Sequence, residues 1–500
     1  MGSMSAITEA QRLRETQLQA LGALVDVGVA DELGRRFAAE GFELYLVGGT
    51  VRDLLRGSPD TGDLDFATSA LPDDTQRLLE GWAEDLWLTG ARFGTVSAAR
   101  AGHTVEVTTF RSDDYRPGSR HPAVRFGDDI AADLARRDFT INAVAVSVPD
   151  RRVVDPHGGW EDLRQGVLRT PIEAKSSFAD DPLRMIRMAR FVATLGFEPD
   201  DDAVGAATAM SSELKTVSAE RIRAELDKLV LGPGMRAGMD LLVHTGLAEV
   251  FLPELPALRM QRDPAHHHKD VYAHTLAVVE ACPADDLVLR LAALLHDIGK
   301  PATRQFHAGG TVSFHHHDVV GARMARHRLR ELRYPKDVIA DVAHLVRLHL
   351  RFHGYSQGEW SDAAVRRYVH DAGDDTQLRR LNLLTRADVT TRDAGKKRRF
   401  AQAMDHLETR IDILAQQEQV QAVRPALDGT QMMAYLGIPP GPLVGMAWDH
   451  LKDKALELGP VSAEEGYALL DDWAQEQGIE VRGDKVPPKP KKDDSAAADH

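Results

Sequence analysis

The stretch GDLDFATSA, Gly62 to Ala70, sets two aspartates one residue apart in an otherwise apolar segment. We read it as a β-strand, in which alternate side chains point to the same face. Asp63 and Asp65 would then project together, and two carboxylates so close repel each other unless a positive charge lies between them. A divalent metal ion would supply that charge. The stretch therefore predicts a metal site on a sheet, with a solvated loop as the alternative.

The segment LYLVGGTVRDLLRG, Leu44 to Gly57, precedes the two aspartates. It reads as an apolar strand that runs into Gly48-Gly49 and then into a helix carrying Arg52. Glycines at a strand end expose backbone N–H groups, and the start of the next helix adds positive potential. This pattern favours a phosphate site. A simple tight turn is the alternative.

A third acid comes from HTVEVTTF, His103 to Phe110. The alternation places Glu106 on the polar face of a strand, opposite Val105 and Val107. Carboxylates on neighbouring strands could hold two Mg²⁺ ions, one activating a sugar hydroxyl and both clamping a triphosphate. An exposed sheet residue is the alternative for Glu106.

Length and composition set outer bounds. The 500 residues, with a formal net charge of −15, predict three or four domains. The single cysteine, Cys282, excludes an internal disulfide and a cysteine-based zinc site. No apolar run approaches the roughly 18 residues of a membrane span, and no signal peptide is recognisable, so we expect a cytoplasmic enzyme. The acidic net charge argues against a nucleic-acid partner, but local arginine clusters leave that question open.

The pattern along the chain changes twice. Residues 5–40 look helical, residues 41–170 alternate short strands with Gly, Pro and Asp, and residues 180–480 look almost entirely helical. The last stretch, residues 481–500, is rich in Pro, Lys and Asp and predicts disorder.

Taken in order, GGTVRD, DLDFATSALP, RFGTV, EVTTF, RRDFTINA and DDPLRMIRMARF resemble the motif series of the class II tRNA nucleotidyltransferase and bacterial poly(A) polymerase family. The resemblance covers residues 41–255 and resumes more weakly at LDGTQMMAYLGIPPGPLVGMAW. It implies an α+β fold, with a nucleotidyltransferase head whose sheet is mostly antiparallel, followed by all-helical neck, HD, body and tail regions. It also implies nucleotide addition to an RNA 3′ end, using ATP and CTP with Mg²⁺.

The resemblance also implies residue roles. Asp63 and Asp65 would bind the catalytic metals, beside Glu106 as the third catalytic candidate. The predicted nucleotide-binding residues are Gly48, Gly49, Arg52, Arg137, Asp138, Asn142, Asp181, Arg184, Arg187 and Arg190. Asp180 departs from the glutamate common at its position.

The helix predicted for DDPLRMIRMAR suggests how a protein could choose C and A without a template. Asp181 can only accept hydrogen bonds and Arg184 can only donate them. Cytosine and adenine each offer an exocyclic amine beside a ring nitrogen acceptor, whereas uracil and guanine present the reverse order. The pair would match C and A and leave unpaired polar groups against U and G. The family resemblance assigns the pair this role, with Arg187 and Arg190 facing the phosphates. A solvated, salt-bridged helix face is the alternative.

Many of the 21 histidines lie between residues 266 and 370. LAALLHDIGKPATR contains His296-Asp297 at the end of an apolar helix, and the pattern resembles the HD superfamily. That likeness implies the ligands His274, His296, Asp297 and Asp388, with His317 and His349 as candidates for a second metal. Mn, Ni, Fe or Zn would suit this set. A degenerate HD fold kept for RNA binding or packing is the alternative, and HHHKD at 266–270 reads as a solvated turn.

The leading functional hypothesis is a CCA-adding tRNA nucleotidyltransferase, with tRNA (3′ end and acceptor arm), CTP and ATP as partners, no membrane and no identified protein partner. The alternatives are a poly(A) polymerase, an HD phosphohydrolase as second or sole function, an alarmone synthetase-hydrolase and a non-catalytic RNA-binding protein. The alarmone enzymes normally place the HD unit first, unlike this chain. The expected domains are residues 1–40, 41–170, 171–256, 257–395, 396–480 and 481–500. Basic residues expected to contact RNA are Arg221, Arg223, Arg366, Arg367 and Lys396 to Arg399.

Overall fold

The structure is a computed structural model that describes residues 28–57, 63–114, 123–127, 129–259, 270–307, 312–352, 360–389, 394–422, 425–458 and 461–487. Residues 1–27 of the expected N-terminal segment, residues 266–269 of HHHKD and residues 488–500 of the expected tail lie outside these ranges. The chain divides into two compact units. One comprises Met1–Leu350 with Arg379–Thr390, and the other comprises Arg351–Leu378 with Thr391–His500.

The first unit begins with a head built on a seven-stranded sheet. Its strands are β1 (Leu44–Leu46), β2 (Asp63–Thr68), β3 (Asp85–Trp87), β4 (Thr95–Arg100), β5 (His103–Thr109), β8 (Ala145–Ser147) and β9 (Val153–Val154). The strand order is β3-β4-β5-β2-β1-β8-β9, and all neighbouring pairs are antiparallel except β2 with β5. A separate hairpin pairs β6 (Arg111–Asp114) with β7 (Ala123–Phe126). The head helices are α1 (Gly28–Ala39), α2 (Gly48–Leu55), α3 (Pro72–Leu79), α4 (Ile130–Ala135) and α5 (Gly159–Gln165).

Alternation along β2 and β5 explains the two faces of this sheet. Leu64 and Phe66 of β2 and Val105 and Val107 of β5 are at most 1% exposed. Each such side chain stabilises the fold by about 1.5–3 kcal/mol through burial. The alternate positions point to the opposite face, which is where the acids lie. The predicted mostly antiparallel head is confirmed.

Helices dominate the rest of the first unit. The neck helices are α6 (Ala174–Asp180), α7 (Leu183–Leu195), α8 (Asp201–Met210), α9 (Ala219–Leu231), α10 (Met235–His244), α11 (Ala248–Phe251) and α12 (Glu254–Ala257). The next helices are α13 (Val271–Ala281), α14 (Leu287–Leu295), α15 (Lys300–Thr303), α16 (His317–Glu331), α17 (Lys336–Leu348) and α19 (Asp375–Ala387), of which residues 375–378 of α19 belong to the second unit.

Several element boundaries differ from the sequence-based expectation. Helix α7 does not include Asp181, which has an extended backbone (φ −147°, ψ 99°) between α6 and α7. Pro182 explains this, because the residue before a proline is disfavoured in the helical region. Short strand pairs also interrupt the region expected to be almost all helix, namely β10 (Val167–Leu168) with β11 (Glu198–Pro199) and β12 (Gln305–Phe306) with β13 (Val312–Ser313). Within residues 41–170, where we expected short strands, Ala91–Phe93 and Thr140–Asn142 form single 3₁₀ turns.

The second unit contains α18 (Asp362–Ala372), α20 (Ala394–Ala422), α21 (Gly429–Leu436), α22 (Pro442–Leu458) and α23 (Ala463–Gln477). Capping boxes at Asp428 and Ser462 start α21 and α23. The backbone amides of Arg482 and Gly483 donate to the carbonyl of Tyr435, so ordered chain continues past residue 481. Among the described helices, none is long and apolar enough for a membrane span.

Candidate active site and histidine cluster

Two of the predicted catalytic carboxylates lie side by side on the head sheet. Strands β2 and β5 run parallel with Asp65 opposite Glu106 in register, and Asp63 precedes them on the same face. Burial raises the pKa of Asp65, and Asp63 adds to that effect while the nearby Arg137 opposes it. Burial also raises the pKa of Glu106, with Asp65 and Asp63 contributing by repulsion. The carboxylates thus repel one another at a place where a cation would relieve the repulsion.

The Gly-Gly turn lies directly beside this pair. Helix α2 begins at Gly48, one residue after Val47, and Gly48 has a φ of 69°. A Cβ at Gly48 would lie 3.2 Å from Nη1 of Arg137 and 3.5 Å from Oδ2 of Asp65. Glycine therefore allows both the backbone conformation and the close approach of these two charged groups.

Thr50 of the same helix fixes the strand that carries the aspartates. Its hydroxyl donates to the carbonyl oxygen of Asp63 (3.1 Å) and accepts from the amide of Asp65 (3.2 Å). The sequence analysis did not single out Thr50. A hydroxyl on the buried face of a short helix carries no distinctive signal.

Arg52 and Asn142 form an internal link. Nη1 of Arg52 donates to Oδ1 of Asn142 (2.9 Å), and the Arg52 guanidinium also pairs with Asp53. Asn142 in turn donates to Asp138 (2.9 Å). Asn142 thus bridges Arg52 and Asp138, and its predicted role at the nucleotide stays a prediction.

Asp138 joins the head to the neck. Its carboxylate accepts from Nε and Nη2 of Arg187 (2.8 and 2.5 Å), from Asn142 and from the amide of Phe139. Burial alone would raise the pKa of Asp138, but Arg187 and these hydrogen bonds hold it below its ordinary value. Arg187 also pairs with the buried Glu225 (3.2 Å).

Arg190 lies deeper in the neck. Its guanidinium is 3.9 Å from the ring centroid of Phe191, and its Nε is 3.0 Å from Glu225. Burial lowers the pKa of Arg190 to about 10, so it stays cationic near neutral pH.

The proposed base-reading residues occupy the junction between α6 and α7. Arg184 is buried and donates to the carbonyl and hydroxyl oxygens of Ser177 (3.1 and 2.8 Å) and to the carbonyl of Arg136. Asp181 accepts from the amide of Leu183 (3.2 Å) and from Nη2 of Arg221 (2.7 Å). Arg184 is therefore fixed, whereas Asp181 is held by an exposed arginine from α9.

One cavity of about 390 Å³ unites most of these groups, and we call it the transferase cavity. Of the predicted residues, it is lined by Asp65, Glu106, Arg137, Asp138, Asp181, Arg184 and Arg187. Gly48, Gly49, Arg52, Asp63, Asn142 and Arg190 lie outside its lining. The cavity is also lined by four residues that no sequence motif indicated, namely Thr95, Thr108, Arg111 and Arg136. Arg221 lines it too, although we expected Arg221 in an RNA-binding patch.

A second group of chemically active side chains, the histidine cluster, lies among the later helices of the first unit. Its members are His274, His296, Asp297, His317, His349 and Asp388. Nε2 of His274 is 2.9 Å from Oδ1 of Asp388, and Nε2 of His296 is 3.2 Å from Oδ2 of Asp297. Lys300 also contacts Oδ2 of Asp297 (2.6 Å).

Backbone carbonyls orient three of these imidazoles. Nδ1 of His296, His317 and His349 lies 2.6–2.7 Å from the carbonyl three residues earlier in each case. A proton on Nδ1 leaves the Nε2 lone pair free, and Nε2 of all three is buried without a hydrogen-bond partner among the described residues. This is the arrangement of metal-binding histidines, in which one nitrogen is held and the other is presented.

The ligand atoms fall into two overlapping groups. His274, His296 and Asp297 form one group, and Asp297, His317 and His349 form the other, with ligand atoms within 4.8 Å of one another in each. Asp297 belongs to both, so the cluster has the donors for two metal ions that share one carboxylate. In the described part of the chain, Asp63, Asp65 and Glu106 do not form such a compact group.

Among the described residues, none of the other predicted basic residues lines the transferase cavity. Arg223 donates to the carbonyl of Arg333. Arg366 and Arg367 lie in α18 of the second unit, and Lys396 to Arg399 lie in α20. Arg367 lines a cavity of about 200 Å³ with Trp360 and Tyr368.

Comparison with known proteins identifies the parts of the chain. The Poly A polymerase head domain family matches residues 44–169, a probable RNA and SrmB-binding site of polymerase A matches residues 196–258, and the HD domain family matches residues 265–411.

Relatives match along nearly the whole chain. The A-adding tRNA nucleotidyltransferase of Deinococcus radiodurans is 34% identical over 86% of this chain and 95% of its own length. The CC-adding tRNA nucleotidyltransferase of Thermus thermophilus is 33% identical over 90% of this chain and 97% of its own length. The crystal structure of the Bacillus stearothermophilus CCA-adding enzyme in complex with CTP superposes with a TM-score of 0.56 at 26% identity, over 90% of this chain and 98% of that one. The chain belongs to the tRNA nucleotidyltransferase and poly(A) polymerase family, and it is a nucleotidyltransferase with an HD domain.

Proposed function

We propose that this enzyme builds or repairs the 3′-terminal CCA of tRNA from CTP and ATP. One observation carries the proposal. A single cavity brings the carboxylates of Asp65 and Glu106 together with the Asp181 and Arg184 pair. Chemistry and base selection would then take place in one enclosure, which nucleotide addition without a template requires.

The acids of the head sheet have the donor chemistry for Mg²⁺, which prefers carboxylate oxygens and keeps positions for substrate phosphates. Asp63, Asp65 and Glu106 would hold it. When bound, Mg²⁺ neutralises charge on the triphosphate and lowers the pKa of the RNA 3′-hydroxyl. Because these carboxylates do not form a compact site by themselves, we expect the nucleotide phosphates to complete it.

In the proposed reaction, the 3′-hydroxyl of the RNA loses its proton to solvent and its oxygen bonds to the α-phosphorus of the nucleotide. The bond from that phosphorus to the β-phosphate oxygen breaks, and pyrophosphate leaves. Arg137 and Arg187 line the cavity and would balance the phosphate charge, although Arg187 is already tied to Asp138.

Base selection would rest on fixed hydrogen-bonding groups. Arg184 would donate to the ring nitrogen acceptor of C or A, and Asp181 would accept from the exocyclic amine. The contacts of Arg184 with Ser177 and Arg136 hold its guanidinium in place, so a wrong base would leave buried polar groups unpaired. This supports selection of C and A over U and G.

The nucleotides that this chain adds are a finer question. The full-length relatives include one A-adding and one CC-adding enzyme at nearly equal identity, so identity does not separate the two activities. We propose that this chain adds all three nucleotides, with a poly(A) polymerase as the alternative.

The test is incorporation into three tRNA transcripts that end before CCA, at C and at CC, each with ATP, CTP, GTP and UTP singly and with ATP plus CTP. Addition of C, C and A followed by a stop, and its loss in Asp63→Asn/Asp65→Asn, would support the proposal. Addition restricted to the transcript ending at CC would indicate an A-adding enzyme, and addition restricted to the other two would indicate a CC-adding enzyme. Long A tracts from ATP alone would indicate a poly(A) polymerase.

A second candidate function rests on the buried Nε2 atoms of His296, His317 and His349, which make no hydrogen bond among the described residues and, for His296 and His317, lie 3.2–3.4 Å from the carboxylate of Asp297. His274, His296, Asp297 and Asp388 would hold Mn, Ni, Fe or Zn, and His317 and His349 would add donors for a second ion. Such an ion supplies a nucleophilic hydroxide near neutral pH. We propose phosphohydrolase activity on phosphomonoesters or 2′,3′-cyclic phosphates. Its test is hydrolysis of both substrate types with each metal, compared with His296→Ala/Asp297→Ala.

The remaining assignments of the sequence analysis stay proposals. We place the reaction in the cytoplasm and retain domain boundaries after residues 40, 170, 256, 395 and 480. Limited proteolysis with mass determination of the fragments would test these boundaries.

A further inference from the structure

A second large cavity of the first unit lies between the neck and the HD helices. It has a volume of about 630 Å³, and we call it the neck–HD groove. Its floor is apolar and includes Ile222 of α9, Phe251 of α11 and Leu332 after α16. Lys215, Arg330 and Arg333 stand on its walls, so residues far apart in sequence form one concave surface.

The groove carries unneutralised positive charge. Lys215, Arg330 and Arg333 are exposed, and none of the three has an ion-pair partner among the described residues. The acid on the wall, Glu331, is held by Arg328 at 2.6 Å. Arg328 is itself bound to Glu254 (2.9 Å). The groove therefore presents three free cations to a ligand.

The groove and the transferase cavity adjoin at the start of α9. Arg221 faces the transferase cavity, whereas its neighbour Ile222 faces the groove. One residue further on, Arg223 donates to the carbonyl of Arg333, which has a left-handed backbone (φ 60°). Consecutive residues in the first turn of one helix thus line the two sites.

We propose that the neck–HD groove binds backbone phosphates of the RNA whose 3′ end occupies the transferase cavity, so that helix α16 of the HD region takes part in RNA binding. The proposal rests on the proposed function, which requires RNA in that cavity. A polyanion that leaves the cavity over α9 meets the three free cations next. The buried apolar side chains of the lining leave room for the apolar stems of these long side chains to pack while their charged ends face the strand.

The test compares RNA binding by the full chain and by Lys215→Gln/Arg330→Gln/Arg333→Gln. The ligand is a labelled tRNA transcript lacking CCA, titrated without nucleotide at several salt concentrations. Each lost phosphate contact lowers the salt dependence of log K by about 1, so we expect a decrease of about 3 in the triple variant. The matched control is Arg35→Gln/Lys228→Gln/Arg323→Gln, which removes the same charge from exposed positions outside the groove, and we expect little change in slope. If the triple variant melts below the wild type, Arg330→Gln alone replaces it, with an expected decrease of about 1.

If log K for tRNA binding depended equally on salt in the groove variant and the wild type, the proposal would be overturned. An equal decrease of this salt dependence in the control variant would overturn it as well. A raised KM for CTP with unchanged tRNA affinity would also overturn it, because the groove would then serve the nucleotide. Binding is measured without turnover, so failure of the proposed function appears separately, as absence of incorporation by the wild type.

Discussion

The transferase cavity holds its carboxylates against arginines, whereas the histidine cluster holds its carboxylates against imidazoles. Asp138 and Asp181 are each paired with a guanidinium, which stays charged at any ordinary pH. Asp297 and Asp388 instead face imidazole rings, and the second nitrogen of His296, which lies near both carboxylates, is held by a backbone carbonyl. The first arrangement suits a large anionic ligand that rearranges ion pairs, and the second suits a small cation.

The two regions also differ in how complete they are. The histidine cluster forms two groups of three residues, and the ligand atoms within each group lie within 4.8 Å of one another without any substrate. Asp65 and Glu106 share a strand register but leave the rest of their site open. We therefore expect the histidine cluster to bind metal without substrate. The transferase cavity should bind metal only together with the nucleotide. Five predictions test this contrast.

The largest effect should come from Asp65→Asn. We expect nucleotide addition to fall by about 10³-fold or more, because loss of metal-based charge stabilisation costs several kcal/mol in the transition state. Thermal stability should not fall, since the change removes one of three mutually repelling acids. The measurement is single-turnover incorporation together with a melting curve. His296→Ala is the control and should keep the transfer rate, so a parallel loss there would contradict the separation of the two sites.

Metal removal should lower the stability of the protein mainly through the histidine cluster. A metal present at 100 times its Kd stabilises the folded state by about 2.7 kcal/mol, so a chelator should lower the melting temperature of the wild type. Neither His296→Ala nor His349→Ala should bind a full complement of metal, and the chelator should affect both less. Elemental analysis of the purified protein gives the stoichiometry. An unchanged wild-type melting curve, with no bound metal after reconstitution with Mn, Ni, Fe or Zn, would favour the packing role instead.

Asp138→Ala should destabilise the wall of the transferase cavity. Removing one member of a buried ion pair costs about 3–5 kcal/mol, because Arg187 keeps its charge without its main partner. Arg164→Ala breaks the exposed pair between Arg164 and Glu161 and should lower the free energy of unfolding far less. Urea unfolding of both variants measures the difference.

The same pair predicts a pH dependence. The pKa of Asp138 is lowered in the folded state, so its stabilisation is complete above the unfolded pKa and is lost as the pH falls through the folded value. The difference in the free energy of unfolding between wild type and Asp138→Asn should therefore narrow below about pH 4. A difference that stays constant down to pH 3 would show that Arg187 contributes nothing through charge.

The positions of the acids on the head sheet were easier to predict from the sequence than the residues that surround each site. Alternation along β2 and β5 fixed which side of the sheet Asp65 and Glu106 occupy, because strand periodicity is a local property. The pairing of His296-Asp297 with His274 and Asp388 came only from resemblance, since ligands from three different helices share no local pattern. Their orientation by backbone carbonyls could not have been predicted from composition or spacing.

The predicted face of Asp181 and Arg184 shows where local reasoning fails. Both do line one cavity, but not as neighbours on a helix, because Pro182 keeps Asp181 out of α7. Arg221 lies 40 residues further along the chain, and its contact with Asp181 depends on how α9 packs against α7. Net charge was also a poor guide, since an overall charge of −15 coexists with a groove that carries three free cations.

The smallest effect should come from Arg221→Gln, and whether the KM for the nucleotides falls or rises is informative. Arg221 is about half exposed, and its 2.7 Å contact with Asp181 is worth about 0–1 kcal/mol. If a base must displace Arg221 to reach Asp181, the KM for CTP and ATP should fall by up to about fivefold, because the competing pair is gone. Discrimination against UTP and GTP should stay, whereas Asp181→Ala should lose it. Steady-state incorporation with each nucleotide on the transcripts ending before CCA and at CC measures both properties. A rise in KM would instead make Arg221 a phosphate ligand, and the ion pair with Asp181 would then be its resting position rather than a competitor for the base.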